Sequence, residues 1–528
     1  MTPYVLAGLL FALLVGLAAG RVVYALFLSP YKHVPGPRLC KITRYWAVYH
    51  DMWLRRIDKI HEWHRKYGDV VLVAPGEVSF SSAALTREIY GSTGRHPKSK
   101  YFDNFVMYGQ RPIFCTLDVR EHRHVLKRTF AFYQPTSLYK SAMLQPMWTN
   151  VSKFLDQLKK EVEVRPTVDV LLYCNFYSFD NITSLVYGPA LCARTIEDTE
   201  CEERAILEGW KEVEVWNNFS YNFPLAHKVT RAALSFARND PTFLSAEERL
   251  TDWNMEKVLS ARTNPDKMVA GSLVHQLSNA KTPDGEPYPV SWIAAEILDN
   301  LHAAQTTVAL ALTYTLWNLA CHTAWQDRIR AELLALPGGA GADGGLPSFD
   351  DIMTAPILDA CIRESSRLNP LSSGRAERVV PATKAYSNIV LPAGSVVQTI
   401  VSTSTVSIHH RPDVFADAHA YRPERWLEAD EATLRAMESC YMPFGYGARL
   451  CLGKAFAVAE IKLLIAGIVL EFALCEDTQS TTTDRNMEQL GTQNAMPRGR
   501  RCDLRFRRVR VGGGASAQQS HAHAIMTV

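Results

Sequence analysis

The chain lacks the signatures of several common function classes. Its 11 cysteines include no Cys-x-x-Cys pair. Their odd number and scatter argue against a disulfide scaffold and suit a reducing compartment. Charge of one sign is not in excess: the formal balance is +3, and no basic stripe alternates with aromatics, which argues against nucleic acid as a partner. No glycine fingerprint joins a strand to a helix as nucleotide binding requires, and the chain has no room for a flavin domain. Between Tyr4 and Gly20 there is no charged residue at all.

That charge-free stretch is dense in Leu, Ala and Val, and the apolar run resumes from Val22 to Leu28 after Arg21. Together the two segments can cross a bilayer core of about 30 Å, with Arg21 snorkelling to the interface. Residues 1–29 therefore read as an N-terminal membrane anchor. Lys32, Arg38, Lys41 and Arg44 follow it, so the positive flank and the body behind it belong on the cytosolic side. A cleaved signal peptide would carry a charged leader and a shorter apolar core. Pro30, Pro35, Gly36 and Pro37 form a stiff hinge that cannot continue a helix. On this topology the sequons at Asn150, Asn181 and Asn218 are accidental.

The body, residues 30–510, is 47% apolar and 21% charged over the whole chain, ample for a core. Arg44 to Tyr67 reads as one amphipathic helix. Val70 to Val73 and Glu77 to Ser81, around Pro75-Gly76, read as a hairpin. Tyr101 to Thr116 is an irregular aromatic loop. His124 and Arg128 share a face at i, i+4. Ser291 to Leu336 contains neither Gly nor Pro, and Ser291 to Ala320 reads as one buried helix of about 45 Å. Within it the polar residues His302, Gln305, Thr306 and Thr307 need a reason for burial. Pro337 to Pro347 is a glycine-rich loop, Pro356 to Leu368 a helix, Leu391 to Gly394 a turn and Val396 to Val401 a strand. Gly512-Gly513-Gly514 opens a low-complexity tail, residues 511–528, read as disordered, with His521 and His523 inert.

The most informative stretch is Phe444-Gly445-Tyr446-Gly447-Ala448-Arg449-Leu450-Cys451-Leu452-Gly453. Gly445 and Gly447 permit a tight turn. Lys454 to Leu470 then reads as a buried helix, which puts Cys451 near a helix N-terminus, where thiolate is favoured. Gly453 leaves room for a flat ligand, Phe444 can cover the sulfur, and Arg449 is placed to meet a carboxylate. This stretch matches Phe-x-x-Gly-x-Arg-x-Cys-x-Gly, and the chain resembles the cytochrome P-450 family. Five fixed residues at that spacing arise by chance about 10⁻⁴ times in a chain this long.

The resemblance covers residues about 30–510 and implies a mainly α fold with a small β region, a single domain behind an N-terminal transmembrane helix. This overrides the three or four domains that length alone suggests. It implies haem b (iron protoporphyrin IX) between the long helix and the Cys451 loop, with Cys451 the axial ligand of the iron. It assigns Arg128, Arg378 and Arg449, helped by His124, to the haem propionates. Glu364, Arg367 and Arg425 match the family's buried charge cluster and take a folding role. The family's oxygen-handling motif falls on His302-Ala303-Ala304-Gln305-Thr306-Thr307. Thr306 matches the hydroxyl near bound oxygen, 145 residues before Cys451, and Gln305 replaces the usual acid. An amide positions water but does not relay a proton.

The reaction so implied is a monooxygenation: one atom of O₂ inserted into a lipophilic small molecule, with electrons from a separate NADPH-dependent reductase. Lys454 and its basic neighbours are suited to dock that partner. The anchor and hinge resemble microsomal members at the endoplasmic reticulum membrane, and the non-consensus helix resembles fungal secondary-metabolism members. Gln305 leaves open a redox-neutral isomerase or dehydratase, and a non-catalytic haem carrier or sensor is the other alternative.

Overall fold

The computed structural model describes residues 3–509 apart from 166, 265–267, 283, 338–345, 372–374, 394–397 and 477–481. The low-complexity tail, the centre of the glycine-rich loop, Gly394 of the expected turn and the start of the expected Val396 strand lie outside the described residues.

The first helix, α1 (Pro3–Val23), continues through a π-turn to Leu28 and buries none of its own residues. An uncovered apolar helix of 26 residues is long enough to cross a membrane. Arg21 donates from Nε to the Ile42 carbonyl at 3.3 Å, so the charge that interrupts the run is held at the body. The proline segment behind it is docked rather than free. Tyr31 Oη lies 2.7 Å from Thr399 Oγ1, and Leu72 N–H donates to Pro35 O at 2.7 Å. Gly36 is obligatory there: its φ is +151°, and a Cβ would meet Leu72 O at 2.7 Å.

The expected single helix from Arg44 is two: α2 (Tyr45–Met52) and α3 (Arg56–Tyr67). Leu54 between them has φ +53°, and its carbonyl accepts Gly491 N–H at 2.7 Å. A long-range backbone contact overrides the local amphipathic pattern. The hairpin forms as read: β1 (Val70–Ala74) pairs antiparallel with β2 (Glu77–Phe80). The short helix α4 (Ala83–Tyr90) follows, and α5 (Val119–Thr129) is capped by Asp118, whose side chain accepts from Arg120 N and Glu121 N.

The core is helical. α6 (Val170–Tyr187) is buried along almost its whole length and packs most extensively against α7 (Val290–Cys321), the long central helix. α8 (Pro356–Leu368) lies against the same helix. β3 (Arg378–Val379) pairs antiparallel with β4 (Ile400–Thr403), and β4 pairs parallel with β2, giving the order β1-β2-β4-β3. An isolated bridge sets Lys98 opposite Arg378 at the edge of this sheet. Finally α9 (Lys454–Glu471) runs buried beneath the Cys451 loop.

The docked hinge separates two truncations. Deleting residues 2–29 should release the protein from membranes and leave the body folded, because it removes the Arg21–Ile42 contact but keeps the Tyr31 and Pro35 contacts. Extending the deletion through Pro37 should lower the melting temperature as well. Equal stability of both truncations, by scanning calorimetry, would show that the hinge contacts contribute nothing.

Candidate active site

Gly445 and Gly447 both adopt left-handed conformations, φ +77° and +72°. At Gly447 no other residue fits, since a Cβ would meet Tyr90 O at 2.2 Å. The loop is thus pinned to the end of α4. It closes when Cys451 N–H donates to Phe444 O at 2.9 Å. Cys451 is accessible, yet protein surrounds it as closely as a core residue, the combination expected on the wall of an internal cavity. Burial pushes its thiol up, opposed by the Gly453 N–H and the Lys454 ammonium. Helix α9 begins at Lys454, as the sequence pattern implied, and its N-cap Gly453 supplies the N–H that opposes the burial without outweighing it. A metal ion would hold such a sulfur deprotonated. Gly453 borders open space, with nothing within 4 Å of a built Cβ, and the Lys454 ammonium lies 5.8 Å from the centre of the Phe444 ring. These features fit a flat iron-bearing macrocycle.

The loop is positioned from below by a buried charge cluster. Glu364 accepts from Arg367 Nε (2.9 Å) and Nη2 (2.8 Å), from Arg425 Nε (3.1 Å) and from Trp426 Nε1 (2.9 Å). Glu364 and Arg367 are both fully buried. Arg367 Nη1 also donates to His409 O at 3.0 Å, while His409 Nε2 accepts Met442 N–H at 2.9 Å, two residues before Phe444. The cluster therefore reaches the Cys451 loop through one neutral imidazole.

Arg449 and Arg378 are brought together as expected. Arg449 Nη1 donates to Thr116 O at 2.9 Å, and Arg378 Nη1 to Glu377 O at 2.9 Å. Two groups not picked out from the sequence join them. Lys98 is the β-bridge partner of Arg378, and the buried His122 feels Arg449, Lys98 and Arg378. Burial, then Arg449, Lys98 and Arg378, holds His122 down to about 3; burial and Arg378 bring Arg449 down to about 9. Among the described residues none of these four makes an ion pair with a carboxylate. Such a cluster fits an anionic ligand. His124 lies exposed on the opposite side of α5, whose buried face is His122, Val125 and Thr129. Arg128 stacks on Tyr288 and Trp292, 4.5 and 5.3 Å from the ring centres, outside the cluster. A helical wheel with His122 inward would have exposed this register.

On α7 the buried polar residues divide. Gln305 and Thr306 face α6: Thr306 Oγ1 donates to Gln305 Oε1 at 3.0 Å, Gln305 Nε2 donates to Asn175, and Ser178 Oγ donates to Gln305 O at 2.8 Å. Ala303 is exposed in mid-helix, and His302, Ala304, Thr307 and Ala311 are half-buried; Ala303, Thr307 and Ala311 follow one another at four-residue steps. Thr307 Oγ1 donates to Ala303 O at 2.7 Å on that stripe. His302 stacks on Trp210 at 4.7 Å and is held neutral, down to about 4, by burial.

A family model for cytochrome P450 matches residues 37–498. Cytochrome P450 monooxygenase FGM1 of Gibberella zeae is 37% identical over 495 residues, 93% of this chain and 96% of that protein. Cytochrome P450 monooxygenase esdpH of Penicillium shearii is 27% identical, covering 83% and 87%. Among solved structures, the cytochrome P450DA heme domain superposes with a TM-score of 0.72 at 16% identity, over 90% of this chain and 98% of that one, and shares the fold.

Acid should act on this site through His409. Burial and then the Arg367 guanidinium hold it down to about 3. The unfolded chain protonates first, near the ordinary 6.5, so stability is full above pH 6.5 and falls below it. At pH 5 this residue alone costs about 2 kcal/mol. Thermal scans should show a shallower decline between pH 6.5 and 5 for His409→Gln than for wild type; parallel curves would remove His409 from the account. With a family model across most of its length, a relative above one-third identity and the matching fold, the chain belongs to the cytochrome P450 family and is a cytochrome P450 monooxygenase.

Proposed function

We propose that the protein binds haem b with Cys451 as the axial ligand, and that Lys98, His122, Arg378 and Arg449 receive the propionates. The observation that carries this reading is the cluster of Lys98, Arg378 and Arg449 around the neutral His122, with no carboxylate ion-pair partner among the described residues, beside the Cys451 loop. Bound haem supplies O₂ activation and insertion of one oxygen atom into a C–H or C=C bond. The surrounding residues position that chemistry. Phe444 and Gly453 flank the sulfur. Thr307, not Thr306, is the hydroxyl of the α7 stripe, and its Oγ1 retains lone pairs to hold a water. Ala303 and Ala304 are then the small pair, and Thr306 stands where the family's acid falls. Gln305 and Thr306 brace α7 against α6.

Electrons come from a separate NADPH-dependent reductase, for which exposed Lys454 is a docking cation. The protein sits at the endoplasmic reticulum membrane through α1, with the body cytosolic. Helix Pro224–Arg238 supports membrane contact: it buries no residue and exposes Leu225, Val229 and Phe236. The fungal relatives support a role in secondary metabolism. The ring cluster of Tyr101, Phe102, Phe105, Phe114 and Tyr221 supports a substrate with a lipophilic portion.

Cys451→Ser should abolish the absorbance band of reduced, CO-bound thiolate haem; survival of that band overturns the ligand assignment. With a reductase supplied, Thr307→Ala should lower product per hydrogen peroxide released by about tenfold or more, within the range of lost proton-transfer assistance. Thr306→Ala should change that ratio little. The reverse ranking would return the role to Thr306, and product formed without NADPH would favour redox-neutral chemistry.

A further inference from the structure

The face of α7 that carries Ala303 runs on toward the helix start into buried positions. One turn earlier on the same face lies Asp299, and Glu296 precedes Ala303 by two turns. Both are buried acids. Phe114 N–H donates to Asp299 Oδ2 at 3.2 Å, and its Oδ1 has no partner among the described residues. Glu296 is fully buried, and neither carboxyl oxygen has a hydrogen-bond partner. The nearby Ile113 N–H opposes the rise of its pKa without meeting hydrogen-bond geometry. An unpaired buried carboxyl pair is expensive and needs a reason.

Among the described residues, the cations around the pair do not ion-pair with it. Lys98 Nζ donates to Phe114 O and sits 4.0 and 4.1 Å over the rings of Phe102 and Phe114. Arg128 is stacked on Tyr288 and Trp292. Neither makes an ion pair with Glu296 or Asp299 among the described residues. Tyr133, bonded to Asn300, has its phenol pushed up by burial and then by Glu296, Asp299 and Cys451. That one phenol senses all three groups, so the acid pair and the Cys451 loop converge on the same region.

We propose that Asp299 and Glu296 form a subsite for a positively charged nitrogen, and that the substrate is a small organic cation bearing a guanidinium or ammonium group. The inference rests on the monooxygenase reading and narrows its substrate class. Asp299 Oδ1 is the free acceptor, Glu296 supplies further negative charge, and the neighbouring rings cover the apolar part of the substrate. Eight residues separate Asp299 from Thr307, about 12 Å along the helix, so the charged nitrogen is held about two helical turns from the Thr307 hydroxyl. The pair is arranged to ionise on binding. Burial first, then in Glu296 the neighbouring Asp299, raises the two carboxyls to about 8 and about 7, with Arg128 and the Ile113 N–H opposing at Glu296 and Lys98 and the Phe114 N–H opposing at Asp299. A bound cation favours the ionised form, so binding releases a proton near neutral pH, and affinity rises with pH between 6 and 8.

The test uses haem-loaded protein, n-hexylguanidinium and the neutral probe 1-hexanol, with affinity measured by calorimetry in two buffers of different ionisation enthalpy. Wild type should bind n-hexylguanidinium at least about tenfold more tightly than 1-hexanol, and with proton release, as a charge-assisted contact implies. Asp299→Asn should erase that preference and the proton release without weakening 1-hexanol. Glu296→Gln should reduce the preference in the same direction. Equal affinity of the two probes in wild type, or a preference that survives both substitutions, overturns the proposal. The CO-bound band is recorded for each sample. Its absence from wild type would sink the haem-thiolate reading, whereas an intact band without charge preference sinks only the cation subsite.

Discussion

The buried bidentate contact between Glu364 and Arg367 is the constraint on which the site depends. Both side chains are removed from water, and each is fully used. Glu364 takes three further donors, Arg422 N, Arg425 Nε and Trp426 Nε1, and Arg367 also donates to the carbonyls of His409, Ala418 and Ala420. Such a pair adds little net stability over apolar residues of equal size, but losing one partner costs about 3–5 kcal/mol. Its value is positional. Arg367 fixes the His409 backbone, His409 fixes Met442, and Met442 leads directly into the turn that presents Cys451. The turn is then closed from the other side by Gly447 against Tyr90.

The same economy governs the opposite wall. Helix α7 is buried nearly all round, so each accessible position on it is informative. Ala303 is small and open, Thr307 returns its hydroxyl to the Ala303 carbonyl, and Asp299 and Glu296 continue that face into buried positions. Gln305 bonds to Asn175 and Ser178 on α6, and Thr306 donates to Gln305, so the polarity of both is satisfied. Lys98, Arg378 and Arg449 gather with the neutral His122 beside the Cys451 loop, and Asp299 and Glu296 lie toward the start of α7. Lys98 links the two groups through Phe114, whose carbonyl it bonds and whose N–H meets Asp299.

Much of this was legible in the sequence. The Cys451 stretch, the long Gly-free helix, the Glu364–Arg367 spacing and the Arg378 strand each carry a local pattern that survives folding, and the architecture follows from them. What escaped depends on rotation or on distant pairing. Thr306 and Thr307 differ by 100° around a helix that is apolar on nearly every side, so composition could not choose between them. His122 and His124 pose the same problem on α5, where burial decides. Lys98 meets Arg378 only because a bridge joins residues 280 positions apart. The break at Leu54 depends on Gly491, still further away along the chain. Asp299 and Glu296 read as ordinary helix charges until the structure shows them buried without partners.

The central claim is that one site is assembled from the Cys451 loop, the basic cluster of Lys98, His122, Arg378 and Arg449, and the Ala303–Thr307 stripe. A crystal structure of the haem-loaded protein tests it most directly. The account predicts iron bonded to Cys451 Sγ, propionates held by Lys98, His122, Arg378 and Arg449, and Thr307 rather than Thr306 facing the iron. Propionates directed to His124 and Arg128, or iron held by another side chain, would contradict it.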